Sequence, residues 1–151
     1  MRLRAYRRSD LAAMVALDEI CFSEAFLFGT AAMRRFAEAK NAFALVAEQS
    51  DAALAGFVIA HRTARGPLSK GYCITLDVAP EHRRSGLGRT LLAAAETWAH
   101  EAGAAGMALH VHTGNAGAIR FYESCGYLLQ RVVPGFYGNP GMDALEYSKQ
   151  L

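Results

Sequence analysis

The residues with the clearest chemical potential lie between positions 78 and 89: Val78, Ala79, Pro80, Glu81, His82, Arg83, Arg84, Ser85, Gly86, Leu87, Gly88 and Arg89. A strand-like run stops at Pro80, two glycines follow, and helical periodicity sets in at once. Such a loop presents unpaired backbone N–H groups and the positive end of a helix dipole, and together these bind phosphate. Gly86 and Gly88 let the backbone approach an anion with no Cβ in the way. Arg83, Arg84 and Arg89 add charge suited to a pyrophosphate or a ribose phosphate. A dinucleotide fingerprint needs a third glycine where Leu91 stands. A P-loop needs a glycine where Arg83 stands, although Gly88, Arg89 and Thr90 come close to its second half. The bland alternative is a strand-to-helix turn carrying surface arginines.

Other reactive side chains are fewer. In an alternating strand His110 and His112 share one face, with Leu109 and Val111 on the other. That spacing permits a metal pair, but no third ligand follows at convincing spacing, and no metal is expected. Three cysteines, Cys21, Cys73 and Cys125, make an odd count without a CxxC pair. They read as reduced thiols of a cytoplasmic protein, not as a disulfide framework or a structural zinc site. Cys73 and Cys125 lack a matched base and read as small packing residues.

The segment Arg83-Arg84-Ser85-Gly86-Leu87-Gly88 resembles the Q/R-x-x-G-x-G/A signature of the GNAT superfamily of N-acetyltransferases. The preceding Ile74-Thr75-Leu76-Asp77-Val78-Ala79-Pro80 is similar to that family's fourth strand. Downstream, residues 115–127, from Asn115 through Phe121, Tyr122 and Glu123 to Gly126 and Tyr127, resemble its N-x-x-A-x-x-F/L-Y-E-x-x-G-F segment. The resemblance implies a mixed, mostly antiparallel sheet of six to seven strands with about four flanking helices, splayed between strands 4 and 5. Acetyl-CoA would lie in that splay, with no metal. The backbone of Leu76, Asp77 and Val78 would meet the pantetheine arm, residues from Arg83 and Arg84 through Ser85, Gly86, Leu87 and Gly88 to Arg89 the pyrophosphate, and Asn115 the mouth of the next helix. Tyr122 would protonate the departing CoA thiolate, a role that a phenol with a pKa near ~10 can fill beside a thiol near ~8.5.

Many bacterial relatives that acetylate a ribosomal protein carry a glutamate where His110 stands. Some eukaryotic N-terminal acetyltransferases resemble this chain more closely, with Leu-His-Val on the fifth strand and Tyr-x-x-Thr-Leu on the fourth, here Tyr72 to Leu76. In those enzymes the Tyr and His hold a water that deprotonates the amine, and the resemblance assigns that role to Tyr72 and His110. An α-amine, near ~8 against ~10.4 for Lys, suits such a base. By the same resemblance Phe22, Ser23 and Glu24 line the mouth for the peptide, and Phe136 and Tyr137 lie against its backbone. The expected acceptor is a protein or peptide N-terminus. The alternatives are a small amine (polyamine, amino acid or antibiotic) or a non-catalytic acetyl-CoA-binding module.

These groups need a scaffold, and the 151 residues suffice for one domain, taken as 1–151. Strands are expected at 2–6, 42–48, 54–61, 71–78, 107–112, 127–133 and 144–148. Helices are expected after Ser9 and Asp10, near Thr30, after Gly88 and after Asn115, with Gly103 and Gly126 where the last two should end. Gly66-Pro67 marks a loop, and a Gly/Pro loop separates the last two strands. A net charge of +2 with no long basic block argues against nucleic acid. Arg2, Arg4, Arg7 and Arg8 alternate with Leu3 and Tyr6, as the solvent face of a strand would. No apolar run reaches the ~18 residues of a membrane span, and no secretory h-region opens the chain.

Overall fold

A computed structural model describes residues 1–64, 68–138 and 141–151. Seven strands form one sheet: β1 (Arg2–Ala5), β2 (Ala42–Glu48), β3 (Leu54–Arg62), β4 (Gly71–Val78), β5 (Gly106–His112), β6 (Leu128–Val133) and β7 (Ala144–Gln150). Their spatial order is β1-β2-β3-β4-β5-β7-β6, antiparallel throughout except for the parallel β4–β5 pair. Four helices cover it: α1 (Leu11–Cys21), α2 (Gly29–Ala37), α3 (Leu87–Glu101) and α4 (Ala116–Ser124). The expected loop at Gly66-Pro67 lies outside the described residues, as do residues 139 and 140 of the Gly/Pro loop between the last two strands.

The apolar residues of β3 explain the layering. Phe57 and Ile59 pack with Leu11, Met14, Leu17 and Met33 of α1 and α2. Val58 and Ala60 face the other way, toward Leu91, Leu92, Ala95 and Ala99 of α3. A central strand buried on both faces reads as a continuous apolar run, as residues 55–60 do. Gly103 and Gly126 both take positive φ, +93° and +94°, where the chain leaves α3 and α4.

Asp10 departs from its expected capping role. Its carboxylate accepts from the Arg7 N–H at 2.8 Å and from both terminal nitrogens of Arg4, at 2.7 and 2.8 Å, while a 3-10 turn at Arg8–Asp10 leads into α1. The other basic residues of this segment are paired too, Arg2 and Arg7 with Glu48 and Arg8 with Glu38. The cluster thus closes on the fold's own carboxylates.

Candidate active site

The parallel pairing of β4 with β5 spans Gly71↔Met107 and Tyr72↔Ala108, and beyond these the strands diverge. Along its other edge β4 carries a bulge, because Ile59 pairs with Thr75 while Ala60 pairs with Cys73. The extra residue, Ile74, re-aims everything after it. Thr75 and Asp77 turn toward the α1 layer, opposite Ile59 and Phe57, whereas Leu76 and Val78 pack against the α3–α4 layer. The backbone beyond Tyr72 is therefore free on the side facing β5, as an extended ligand arm requires.

At the end of β4 the chain makes a 3-10 turn over Pro80–His82, passes through positive φ at Arg84 (58°) and Gly86 (88°), and enters α3. The helical ladder begins with Thr90 N–H donating to Gly86 C=O, and the N–H groups of residues 84–89 have no acceptor among the described residues. Six unpaired donors at the N-terminus of a fifteen-residue helix fit a pyrophosphate. Gly88 packs against α4, where a Cβ would come 3.3 Å from Phe121 Cζ. The arginines do less than their number suggests. Arg83 Nε donates to Val78 C=O at 3.0 Å, and Arg89 Nη2 donates to Ser124 Oγ at 3.0 Å. Arg84 stays exposed. Asn115 caps α4 by accepting from Ala118 N–H at 3.1 Å, which leaves its amide NH2 for another partner. The Asp77 carboxyl is fully buried, takes a hydrogen bond from Thr75 and meets Asp18 of α1; only its backbone remains for a ligand.

Tyr122 lies on α4 with its ring 5.2 Å from Phe121 and 5.9 Å from Tyr127. Burial raises its phenol well above the ordinary value, and nearby Cys73, Asp77 and Tyr137 add to the shift. It stays protonated at any ordinary pH, as a proton donor must.

Tyr72 and His110 do meet. The Tyr72 hydroxyl is 2.6 Å from His110 Nδ1. Burial pushes the His110 pKa below its usual value, and Glu146 partly opposes this with a carboxylate oxygen 3.3 Å from Nε2. The ring is thus neutral near pH 7. Phe136 stacks on it with centroids 4.2 Å apart and planes 14° from parallel. Beside it Phe26 contacts His112 at 4.9 Å and Tyr137 at 4.8 Å, and Tyr137 lies 5.0 Å from Phe136. An aromatic wall therefore joins the loop after α1 to the β6–β7 loop. Phe26 belongs to a 3-10 turn, Glu24–Phe26, while Ser23 and Glu24 stay exposed and Phe22 is half-buried at the end of α1. Among the described residues no cluster of three or more His, Cys, Asp or Glu side chains is arranged to hold a metal.

Two members of this site were not singled out from the sequence. Phe26 was one aromatic among several in its loop. Glu146 sits directly opposite His110 in the β5–β7 register, a pairing that depends on β7 inserting between β5 and β6.

The chain is similar to known proteins in sequence and in fold. The family described as acetyltransferase (GNAT) matches residues 11–127. The N-terminal acetyltransferase B complex catalytic subunit naa20 of Schizosaccharomyces pombe is 36% identical over 91 residues, covering 60% of this chain and 51% of that protein. The chain thus aligns with about half the length of that relative. The crystal structure of Chaetomium thermophilum Naa20 in complex with a bisubstrate analogue superposes with a TM-score of 0.80 at 26% identity, over 100% of this chain and 87% of that one. That of nourseothricin acetyltransferase superposes with a TM-score of 0.81, also at 26% identity, over 99% and 97%.

Proposed function

The chain belongs to the acetyltransferase (GNAT) family and is an acetyl-CoA-dependent N-acetyltransferase, and on that premise we propose that it acetylates the N-terminal α-amine of a protein or peptide. The observation that carries this reading is the Tyr72–His110 contact of 2.6 Å beneath the Phe26, Phe136 and Tyr137 wall. The contact pairs a neutral imidazole with a phenol where β4 and β5 part. The wall offers flat apolar surfaces to the backbone of an extended acceptor. The likeness to the two Naa20 proteins supports the same acceptor class.

Acetyl-CoA supplies the thioester carbon that the amine attacks. The free edge of β4 at Leu76 and Val78 orients its pantetheine arm, and the N–H groups of residues 84–89 hold its pyrophosphate. Tyr72 and His110 hold the water that takes a proton from the incoming ammonium, and Tyr122 returns one to the sulfur. Positioning the amine against the thioester supplies much of the acceleration.

A small-amine acceptor is the second reading, favoured by the likeness to nourseothricin acetyltransferase. Thiol release from acetyl-CoA, measured over peptides with free and blocked α-amines, blocked lysine peptides, polyamines, free amino acids and an aminoglycoside, separates the two. Turnover confined to free N-termini is expected. Turnover confined to small amines overturns the peptide assignment, and CoA binding without turnover on any amine overturns catalysis.

A further inference from the structure

We propose that Glu146, itself held by Arg131, backs the Tyr72–His110 pair from across the sheet as a positioning residue: it decides which nitrogen of His110 takes the proton and steadies the imidazolium that results. This rests on the reading of His110 as the base.

Four neighbouring strands each contribute one member: Tyr72 from β4, His110 from β5, Glu146 from β7 and Arg131 from β6. His110 and Glu146 are register partners, and so are Arg131 and Glu146. The second pairing exists because β6 skips a residue between Leu129 and Arg131, which places Arg131 opposite Glu146 where Gln130 would otherwise stand. The separations are 2.6 Å from Tyr72 to His110 Nδ1, 3.3 Å from His110 Nε2 to Glu146 Oε1, and 3.1 Å from that oxygen to Arg131 Nη2. Side-chain exposure rises outward along the line, 13% at His110, 23% at Glu146 and 68% at Arg131.

The direction of transfer follows from the partners. An ionised carboxylate only accepts, so the hydrogen of neutral His110 sits on Nε2 and faces Glu146. Nδ1 keeps its lone pair and accepts the Tyr72 hydroxyl. An ammonium N–H then breaks, its proton passes through water to the Tyr72 oxygen, and the hydroxyl proton of Tyr72 moves to Nδ1. The imidazolium so formed keeps its Nε2 hydrogen against the Glu146 carboxylate, and after the products leave Nδ1 gives its proton back through Tyr72 and water to solvent, which restores both Tyr72 and the resting Nε2–H tautomer. Facing the ring are Tyr72 from β4, Glu146 from β7 and the Phe136 ring from the loop above, while Arg131 from β6 acts on it through its charge. Glu146 favours the imidazolium and Arg131 opposes it.

The test is the pH profile of kcat/KM for wild type, E146Q and R131Q, together with the His110 titration and tautomer read by imidazole 15N NMR on the same proteins. E146Q is expected to lower kcat/KM by about tenfold or more, to move both the acid limb and the His110 titration to lower pH, and to deplete the Nε2–H tautomer. R131Q, at an exposed position, is expected to move both to higher pH. A slower E146Q enzyme with limb, titration and tautomer unmoved overturns this role of Glu146, and so do shifts in the same direction in both variants. H110Q separates the two readings. If it abolishes the acid limb while E146Q leaves the limb in place, only the role of Glu146 falls. If it leaves the wild-type limb intact, His110 is not the base and both fall.

Discussion

In the proposed reaction Tyr122 and His110 carry opposite tuning, and burial does both jobs. It raises the Tyr122 phenol and lowers the His110 imidazole, so one group keeps its proton and the other stays ready to take one. Y122F should cut kcat by roughly 10²-fold while leaving CoA affinity by calorimetry nearly unchanged. For wild type, kcat/KM should be on its plateau at neutral pH and fall on the acid side only below the ordinary imidazole value. Protonated His110 cannot accept, and its pKa is depressed. At this scale the meeting of Tyr72 with His110 was legible in the sequence, and Tyr122 stood out as a candidate because it sits in a local motif. Glu146 was not legible, because its place opposite His110 depends on which strand lies beside β5.

At the scale of elements, the placement of the cleft depends on β4, and β4 depends on a close approach from β3. Gly56 has no room for a side chain: a Cβ there would stand 2.7 Å from the backbone oxygen of Asp77 and 3.2 Å from Leu91. G56A should therefore destabilise the protein by about 1–3 kcal/mol, seen as a lower urea midpoint, because the contact is with backbone and cannot swing aside. The strands themselves were legible from alternation and turn residues, to within a residue or two at their ends. The bulge at Ile74 was not, since a period of two carries no sign of where it will be broken. Without that bulge Asp77 and Thr75 would be assigned to the wrong face. The aromatic wall was equally hidden, because the contact of Phe26 with Tyr137 joins two loops that have no period at all.

Across the whole molecule, buried charge is handled in two ways. Arg4, with its side chain 14% exposed, is bonded to Asp10 and Glu48, and the Arg4 contact holds the Asp10 carboxyl below its usual range. That stability is present above the ordinary carboxylate pKa and is lost as pH falls through the depressed value. Asp18 and Asp77 behave in the opposite sense. Both are raised, chiefly by burial, and Asp18 Oδ1 and Asp77 Oδ2 have no hydrogen-bond partner among the described residues. A proton kept on one of the two carboxyls avoids burying two like charges together. A raised carboxyl contributes stability that is full below its ordinary value and is lost as pH rises through the folded one. D77N keeps a hydrogen-bonding side chain without the proton, so it should melt higher than wild type at pH 8, with the gap closing toward pH 4. A lower melting temperature for D77N across that range would contradict the raised Asp77 carboxyl.

The sheet is two half-sheets, β1 to β4 and β5 with β7 and β6, tied by the register pairs at Gly71 and Tyr72. A bound acyl-thioester arm would complete the interrupted ladder, so saturating CoA at about 100 times its Kd should add ~2.7 kcal/mol to unfolding. Amide hydrogen exchange would report the same seam from within. In the free protein, any amide of residues 73–78 aimed at the gap should exchange with solvent deuterium sooner than those tied to β3. Such an opening costs only the local bonds. Occupancy should slow the seam amides in step, as though a missing stitch had been put back into one fabric.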